Sequence, residues 1–150
     1  MTDSLTPTRR SWNMSRIRGK NTLPERAVAS SLRRLRLRFV SHAAELPGTP
    51  DFLLRGCKTV IFVHGCYWHR HALRDRRCQL TCTPKSGRRG RAFWLRKFHQ
   101  NVVRDQRTER RLRRLGWRVI NVWQCQLRDP DAVAARLERL LCGRGLAGAA

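Results

Sequence analysis

The stretch that decides the fold is Lys58–His64, KTVIFVH, followed directly by Gly65–His71, GCYWHRH. The four consecutive apolar residues at 60–63 predict a strand that is buried on both faces, as in a sheet covered by helices. Residues 63–71 then place three histidines, one cysteine and two large aromatic residues within nine positions. Because loops held by a rigid scaffold carry much of the function of a domain, we expect the functional site here.

Helices and strands are predicted on both sides of this central strand. Thr22 and Glu25 form a capping box that begins a helix, which we expect to run from Thr22 to Leu37. Further strands are predicted at 37–40, 51–54 and 117–123, and further helices at 92–115 and 130–142. This order predicts an α/β domain in which a central mixed sheet is flanked by helices.

The length of 150 residues predicts a single domain, residues 1–150, with one hydrophobic core. We expect residues 1–11 to form a flexible basic arm and residues 142–150 a flexible tail. No apolar run is long enough to span a bilayer, and no secretory signal pattern is found, so we expect a cytoplasmic protein without a membrane partner.

The net charge of +23 comes from 33 Lys and Arg residues against ten Asp and Glu residues. Such an excess favours a nucleic-acid partner, since release of counterions from phosphates drives sequence-independent binding. The alternative is a basic surface that is only solvated. The scarcity of acidic residues leaves few candidates for a catalytic metal site.

Two acidic residues interrupt apolar helix faces. Glu25 shares its face with Val28 and Leu32, and Asp105 shares its face with Leu112. Because carboxylates are rarely buried unless they are paired or bind a metal, the pattern favours a polar site at the margin of the core. The alternatives are that Glu25 serves only the capping box and that Asp105 forms a salt bridge with an arginine such as Arg104.

A third carboxylate, Asp51, begins a predicted strand and is a candidate ligand for Mg²⁺. Pro-Asp pairs are also common in turns. In the segment 63–71 a histidine could act as a general base or as a metal ligand, and exposed aromatic residues could stack on DNA bases. The alternative is a His-rich loop without function, with Trp68 in the core.

Six cysteines without a secretory signal indicate metal ligands or buried thiols rather than disulfides. Cys66, His71 and Cys78 are close in sequence, and Cys125 follows a strand that could return beside them. Three cysteines and one histidine are an ordinary set for structural zinc. Cys82 is an alternative to Cys78.

The sequence resembles the very short patch repair (Vsr) DNA mismatch endonuclease family over nearly its full length. The motifs that carry the resemblance lie at 10–18, 46–51 (LPGTPD), 60–69 (VIFVHGCYWH), 93–105 and 116–125 (GWRVINVWQC). The resemblance implies a restriction-endonuclease-like core with a structural zinc site.

The resemblance also implies the catalytic groups. Asp51 and the main-chain carbonyl of Val63 would bind the catalytic Mg²⁺, and His69 would activate the attacking water. Glu25 and Asp105 would orient waters and that histidine. A further histidine, His64, would assist at the scissile phosphate.

The same resemblance implies the DNA contacts and the zinc ligands. Tyr67, Trp68 and Trp94 would wedge into the duplex beside the mismatch. Further DNA-binding positions within the matching motifs are Asn13, Met14, Lys97 and Asn101. The implied zinc ligands are Cys66, His71, Cys78 and Cys125, with Cys78 preferred to Cys82 because it keeps the five-residue spacing of the family to Pro84.

The implied activity is a nick 5′ to the T of a T·G mismatch, which arises where 5-methylcytosine has deaminated. We expect a monomer that acts on double-stranded DNA at the nucleoid, with other mismatch repair proteins as further candidate partners. The competing functions are a restriction-type nuclease of the same fold and a zinc-containing DNA-binding module without catalysis.

Overall fold

The computed structural model describes residues 20–71 and 88–142, together with Thr6, Thr8, Arg9, Trp12 and Cys78. The predicted DNA contacts Asn13 and Met14 and the alternative ligand Cys82 lie outside the described residues. So do most of the predicted basic arm and of the predicted tail.

The described residues form one mixed sheet of four strands. They are β1 (Val40–Ser41), β2 (Phe52–Leu54), β3 (Thr59–His64) and β4 (Arg118–Trp123), in the spatial order β1-β2-β3-β4. β1, β2 and β3 pair antiparallel, whereas β3 and β4 pair parallel. The predicted α/β class with a mixed central sheet is therefore confirmed. The strand β3, on which that prediction was built, lies inside the sheet.

Within residues 20–71 and 88–142, three helices flank the sheet: α1 (Leu23–Arg34), α2 (Arg88–Arg114) and α3 (Pro130–Cys142). Two of their bounds differ from the prediction by more than one residue. α1 ends at Arg34 rather than Leu37, because Arg36 adopts a φ of 54° and no longer continues the helix. α2 begins at Arg88, four residues before the predicted start at Ala92.

Each face of the sheet has its own apolar core. On one face, α1 and α3 pack on the sheet through buried aliphatic and aromatic residues that include Val28, Leu32, Ile61, Val122 and Leu137. On the other face α2 contributes Leu112, which packs with residues of β2 and β3. The sheet is thus the middle layer of three, and both faces of β3 are covered, as its run of apolar residues predicts.

The pairing of the strands gathers polar residues at one edge of the sheet. In β2 and β3, Phe52 pairs with Ile61, so Asp51 precedes β2 at the edge where β3 ends. At the same edge His64 of β3 pairs with Trp123 of β4. The carboxyl ends of the parallel strands and the start of β2 therefore define the position of the candidate site.

A tight turn leads into Asp51 and packs on α2. Gly48 has a φ of 77°, and a Cβ atom at this position would lie 2.3 Å from the Thr108 Cγ2 atom. Both the backbone conformation and the close approach therefore require glycine. Within the described part of the chain, no helix has the length and the apolar character needed to cross a membrane.

Candidate active site and metal centre

Asp51 is anchored to the neighbouring strand. The backbone N–H of Val63 donates a hydrogen bond of 2.7 Å to Oδ2 of Asp51. Burial raises the pKa of Asp51 to about 6, although the Val63 N–H acts in the opposite direction and the nearby charge of Glu25 adds to the rise. A half-buried carboxylate that is costly to ionise is a group that a bound cation would stabilise.

Glu25 combines both interpretations that the sequence left open. Its Oε1 accepts from the Thr22 hydroxyl at 2.7 Å and its Oε2 accepts from the Asn21 N–H at 2.8 Å, so it caps α1. Glu25 is only 7% exposed. One ligand atom each of Glu25, His42 and Asp51 lie within 4.8 Å of one another.

His69 and Asp105 form a hydrogen-bonded pair. The Nδ1 atom of His69 contacts Oδ2 of Asp105, and Arg104 approaches the other carboxylate oxygen at 3.2 Å. Burial would raise the pKa of Asp105, but the hydrogen bond and charge of His69, with the charges of His64 and Arg104, lower it below its ordinary value. Asp105 is therefore an ionised acceptor, and it holds the His69 ring with Nε2 as the remaining nitrogen.

These groups line one cleft between the sheet edge and α2. The His64 and His69 rings lie 4.2 Å apart between centroids. The cleft has a volume of about 470 Å³ and is lined by residues 48–49, Asp51, 62–64, His69, 104–105 and 108–109. Asp51, Val63, His64, His69 and Asp105 thus share one cavity, while Glu25 lies behind Asp51 and is not among the lining residues.

An aromatic cluster lies beside this cleft. Tyr67 and Phe98 are in edge-to-face contact at 5.0 Å, and the Trp68 ring lies 5.6 Å from that of Trp94. The Asn101 side chain donates to the main-chain carbonyl of Trp68 at 3.2 Å. Phe98 is fully buried whereas the other three rings are partly exposed, so the cluster has a rigid base and an accessible edge.

Of the remaining predicted DNA contacts, Lys97 is exposed on α2, one position before Phe98. Trp68 is neither a core residue nor fully exposed. The structure therefore contradicts the alternative that places Trp68 in the core.

Three sulfurs and one imidazole form a possible metal-binding group. One ligand atom each of Cys66, His71, Cys78 and Cys125 lie within 4.8 Å of one another. The His71 Nδ1 atom lies 3.7 Å from Sγ of Cys66 and 3.3 Å from Sγ of Cys125. Burial, together with the neighbouring cysteines, raises the pKa of the Cys66 thiol to about 12. A metal would be needed to hold this sulfur as a thiolate, so the donor set fits a soft cation.

The metal-binding group is held from the side by Trp123, whose ring stacks on His71 at 4.1 Å with an interplanar angle of 9°. The Cys125 N–H also donates to Sγ of Cys66 at 3.3 Å. The group joins the loop after β3 to the end of β4. The structure brings Cys78 into this group.

Sequence reasoning missed His42. Its side chain lies beside Glu25 and Asp51, and it belongs to none of the motifs that carry the family resemblance. The pairing of β1 with β2 was the signal that could have revealed it, because His42 stands opposite Asp51 in that register.

Comparison with known proteins identifies the family. The family described as DNA mismatch endonuclease Vsr matches residues 2–75. The chain is 45% identical over 141 residues to the Type II nicking enzyme V.XorIIP of Xanthomonas oryzae pv. oryzae, covering 94% of this chain and 98% of that protein. It is 42% identical over 141 residues to the DNA mismatch endonuclease Vsr of Escherichia coli, covering 91% and 85%. A third relative, the Type II nicking enzyme V.NmeAIP of Neisseria meningitidis, is 37% identical over 94% of this chain and 95% of that protein. The chain therefore belongs to the family of Vsr DNA mismatch endonucleases and nicking enzymes, and it is a DNA endonuclease.

Proposed function

We propose that this endonuclease nicks one strand 5′ to the T of a T·G mismatch, in very short patch repair of deaminated 5-methylcytosine. Its catalytic cation is Mg²⁺, its structural cation is Zn²⁺, and its core is restriction-endonuclease-like. The observation that carries the proposal is the single cleft that Asp51 shares with the His69–Asp105 pair. A cation ligand and an oriented base facing one cavity are what phosphodiester hydrolysis requires.

The donors at Asp51 fit Mg²⁺. The carboxylate of Asp51 and the main-chain carbonyl of Val63 are hard oxygen ligands, and Glu25 adds a second carboxylate within 4.8 Å. When bound, Mg²⁺ polarises the phosphodiester and stabilises the negative charge that develops on it. The N–H of Val63 fixes the Asp51 carboxylate in one orientation before any cation binds.

His69 is the base in this proposal. Asp105 accepts from Nδ1, which leaves Nε2 to take the proton of the attacking water. Because Asp105 stays ionised, it also stabilises the imidazolium that forms. His64, whose ring lies against that of His69, assists at the scissile phosphate, and Glu25 orients waters at the cation.

The aromatic cluster and the basic helix α2 hold the DNA. Tyr67, Trp68 and Trp94 insert beside the mismatch, supported from below by Phe98. Unstacking costs least where a base pair is already weakened, so an aromatic wedge favours a mismatch over a matched duplex. Lys97 and Asn101 on α2, with Asn13 and Met14 near the N-terminus, are the further contacts in the proposal.

Zinc at Cys66, His71, Cys78 and Cys125 has a structural role in this proposal. A closed set of four protein ligands leaves no open position for substrate. Since Cys66 and His71 flank Tyr67 and Trp68, the cation fixes the backbone that carries the wedge.

The test is strand cleavage of labelled duplexes that differ in one base pair. A T·G duplex should be nicked 5′ to the T in Mg²⁺ buffer and should stay intact in EDTA, while the matched C·G and T·A duplexes resist. Cleavage of both strands of a matched duplex would instead indicate a restriction-type nuclease. Binding to all duplexes without cleavage would indicate a DNA-binding module.

A further inference from the structure

His42 is placed opposite Asp51 by the hairpin that joins β1 and β2. The ladder of this hairpin continues one residue beyond β1, where the His42 N–H donates to the Asp51 carbonyl at 3.0 Å. His42 has a φ of 54°, in the left-handed region that few residues other than glycine adopt. Backbone strain of this kind is often held at functional sites, where the surrounding structure determines it.

The His42 ring lies against the two carboxylates behind the cleft. Its Nε2 atom is 3.5 Å from Oε2 of Glu25, and the two side chains are 17% and 9% exposed. This separation exceeds that of an ordinary N–H···O hydrogen bond. Ligand atoms bound at about 2.1 Å to one cation lie roughly 3 to 4 Å apart. The 3.5 Å between His42 and Glu25 falls in this range, and a ligand atom of Asp51 lies within 4.8 Å of both.

We propose that His42 is a protein ligand of the divalent cation bound at Asp51, and that its nitrogen makes the site bind Mn²⁺ more tightly than Mg²⁺. The inference rests on the cation site of the proposed function and names a ligand beyond it. Mg²⁺ prefers a shell of oxygen atoms, whereas imidazole suits transition metals. A carboxylate oxygen of Asp51 and the imidazole nitrogen of His42 give the mixed shell that shifts the preference, and Glu25 lies beside both.

A simpler role for His42 is as a side-chain partner of Glu25, without contact to a cation. In that role the ring would hold Glu25 in place and would leave no trace in the spectrum of a bound metal. Nitrogen hyperfine coupling to bound Mn²⁺ therefore separates a ligand from a residue that only positions Glu25.

The experiment uses the zinc-loaded full chain without DNA. Mn²⁺ is titrated by electron paramagnetic resonance, Mg²⁺ is titrated in competition, and nitrogen coupling is read by spin-echo spectroscopy. The variant is His42→Gln, and the matched control is His99→Gln, because His99 is exposed on α2 and lies outside the cleft. We expect His42→Gln to lose the coupling and to weaken Mn²⁺ binding by at least the roughly 10-fold that loss of an outer-shell partner causes. The affinity for Mg²⁺ should fall less.

Three results would overturn the inference. They are the absence of nitrogen coupling in the unmodified protein, coupling that persists in His42→Gln, and equal affinity for the two cations. The first and third use only the unmodified chain, so they hold even if the variant fails to fold. Nicking of the T·G duplex is measured separately, and its failure would remove the proposed function without changing the binding result.

Discussion

Asp105 on α2 accepts a hydrogen bond from Nδ1 of His69, which lies 36 residues earlier in the loop that follows β3. This contact joins α2 to the loop that follows β3, and it explains why an acidic residue interrupts an apolar helix face. The salt bridge with Arg104, which the sequence offered as an alternative, is present as well. One carboxylate thus serves both interactions, and its lowered pKa follows from them.

Replacement of Asp105 by Asn should slow nicking while the fold is kept. Asn has nearly the same shape, but it does not stabilise an imidazolium, and it can present its NH₂ group to His69 and reverse the ring tautomer. Since positioned acid–base groups contribute about 10²–10⁴-fold, we expect a loss of nicking rate in that range, measured as single-turnover cleavage of a T·G duplex. The control is Glu138→Gln, an exposed carboxylate on α3. A nicking rate within about twofold of that of the unmodified protein would contradict the role of Asp105, because neutral surface changes alter a free energy by about 0.5 kcal/mol or less.

His69→Ala should remove the base and leave the metal-binding group intact. The expected loss is again about 10²–10⁴-fold in nicking rate, with unchanged zinc content and a domain that stays folded, because a base contributes to the rate and not to the core. His99→Ala is the matched histidine control. Loss of zinc in His69→Ala would instead make His69 a metal ligand and would invalidate the proposed set.

The central part of the fold follows from local sequence signals. The apolar run 60–63 predicts β3 because consecutive burial needs cover on both faces, and the capping box predicts the start of α1 to within one residue. The predicted bounds differ from the observed ones where tertiary pairing decides them. β1 is only Val40–Ser41 because it is the part that pairs with β2, and local propensity contains no information on that register.

The candidate site was predictable where a residue violates a local rule. Glu25 and Asp105 stood out because they are acids on apolar helix faces. His42 violates no such rule in the sequence, and only the hairpin register brings it to Asp51. The choice between Cys78 and Cys82 likewise depends on chain geometry between distant segments, which spacing alone does not determine.

The metal-binding group should be required for stability. Cys125→Ser removes one sulfur of the group, so we expect loss of bound zinc and a melting temperature lower by several degrees, since structural zinc contributes directly to the free energy of folding. The control is Cys57→Ser, a half-buried cysteine outside the group. Metal content is measured by atomic emission and unfolding by calorimetry.

The same assay decides between the two candidate third ligands. Cys78→Ser should lose zinc and Cys82→Ser should retain it. The reverse result would overturn the choice of Cys78, and the absence of zinc from the unmodified protein would remove the site.

DNA binding should depend steeply on salt. The net charge is +23, and contacts to about five to ten phosphates would lower the affinity by orders of magnitude between about 50 and about 200 mM salt. Fluorescence anisotropy of a labelled duplex in EDTA measures binding without cleavage. A slope near zero in a plot of the logarithm of affinity against that of salt would show that the charge lies away from the interface.

Asp51→Asn should stabilise the magnesium-free protein and abolish nicking. Burial raises the pKa of Asp51 from the ordinary 3.8 to about 6, so between these values the folded chain keeps a proton that the unfolded chain has released. The contribution of Asp51 to stability is therefore fully present below pH 3.8, falls as pH rises to about 6, and is absent above that.

The Asn side chain keeps an oxygen that can accept from the Val63 N–H and has no charge to bury. The free energy of unfolding of Asp51→Asn should thus exceed that of the unmodified chain at neutral pH, and this difference should vanish toward about pH 4.

Mg²⁺ should raise the stability of the unmodified chain but not that of Asp51→Asn, because the cation supplies the opposite charge that the buried carboxylate lacks. Denaturant unfolding with and without Mg²⁺ across this range measures both effects, with Glu138→Gln as the control. The assignment of Asp51 as a buried carboxylate that binds a cation would be contradicted by either of two results. One is an Asp51→Asn variant that is less stable at neutral pH, and the other is a difference in free energy of unfolding that grows on acidification.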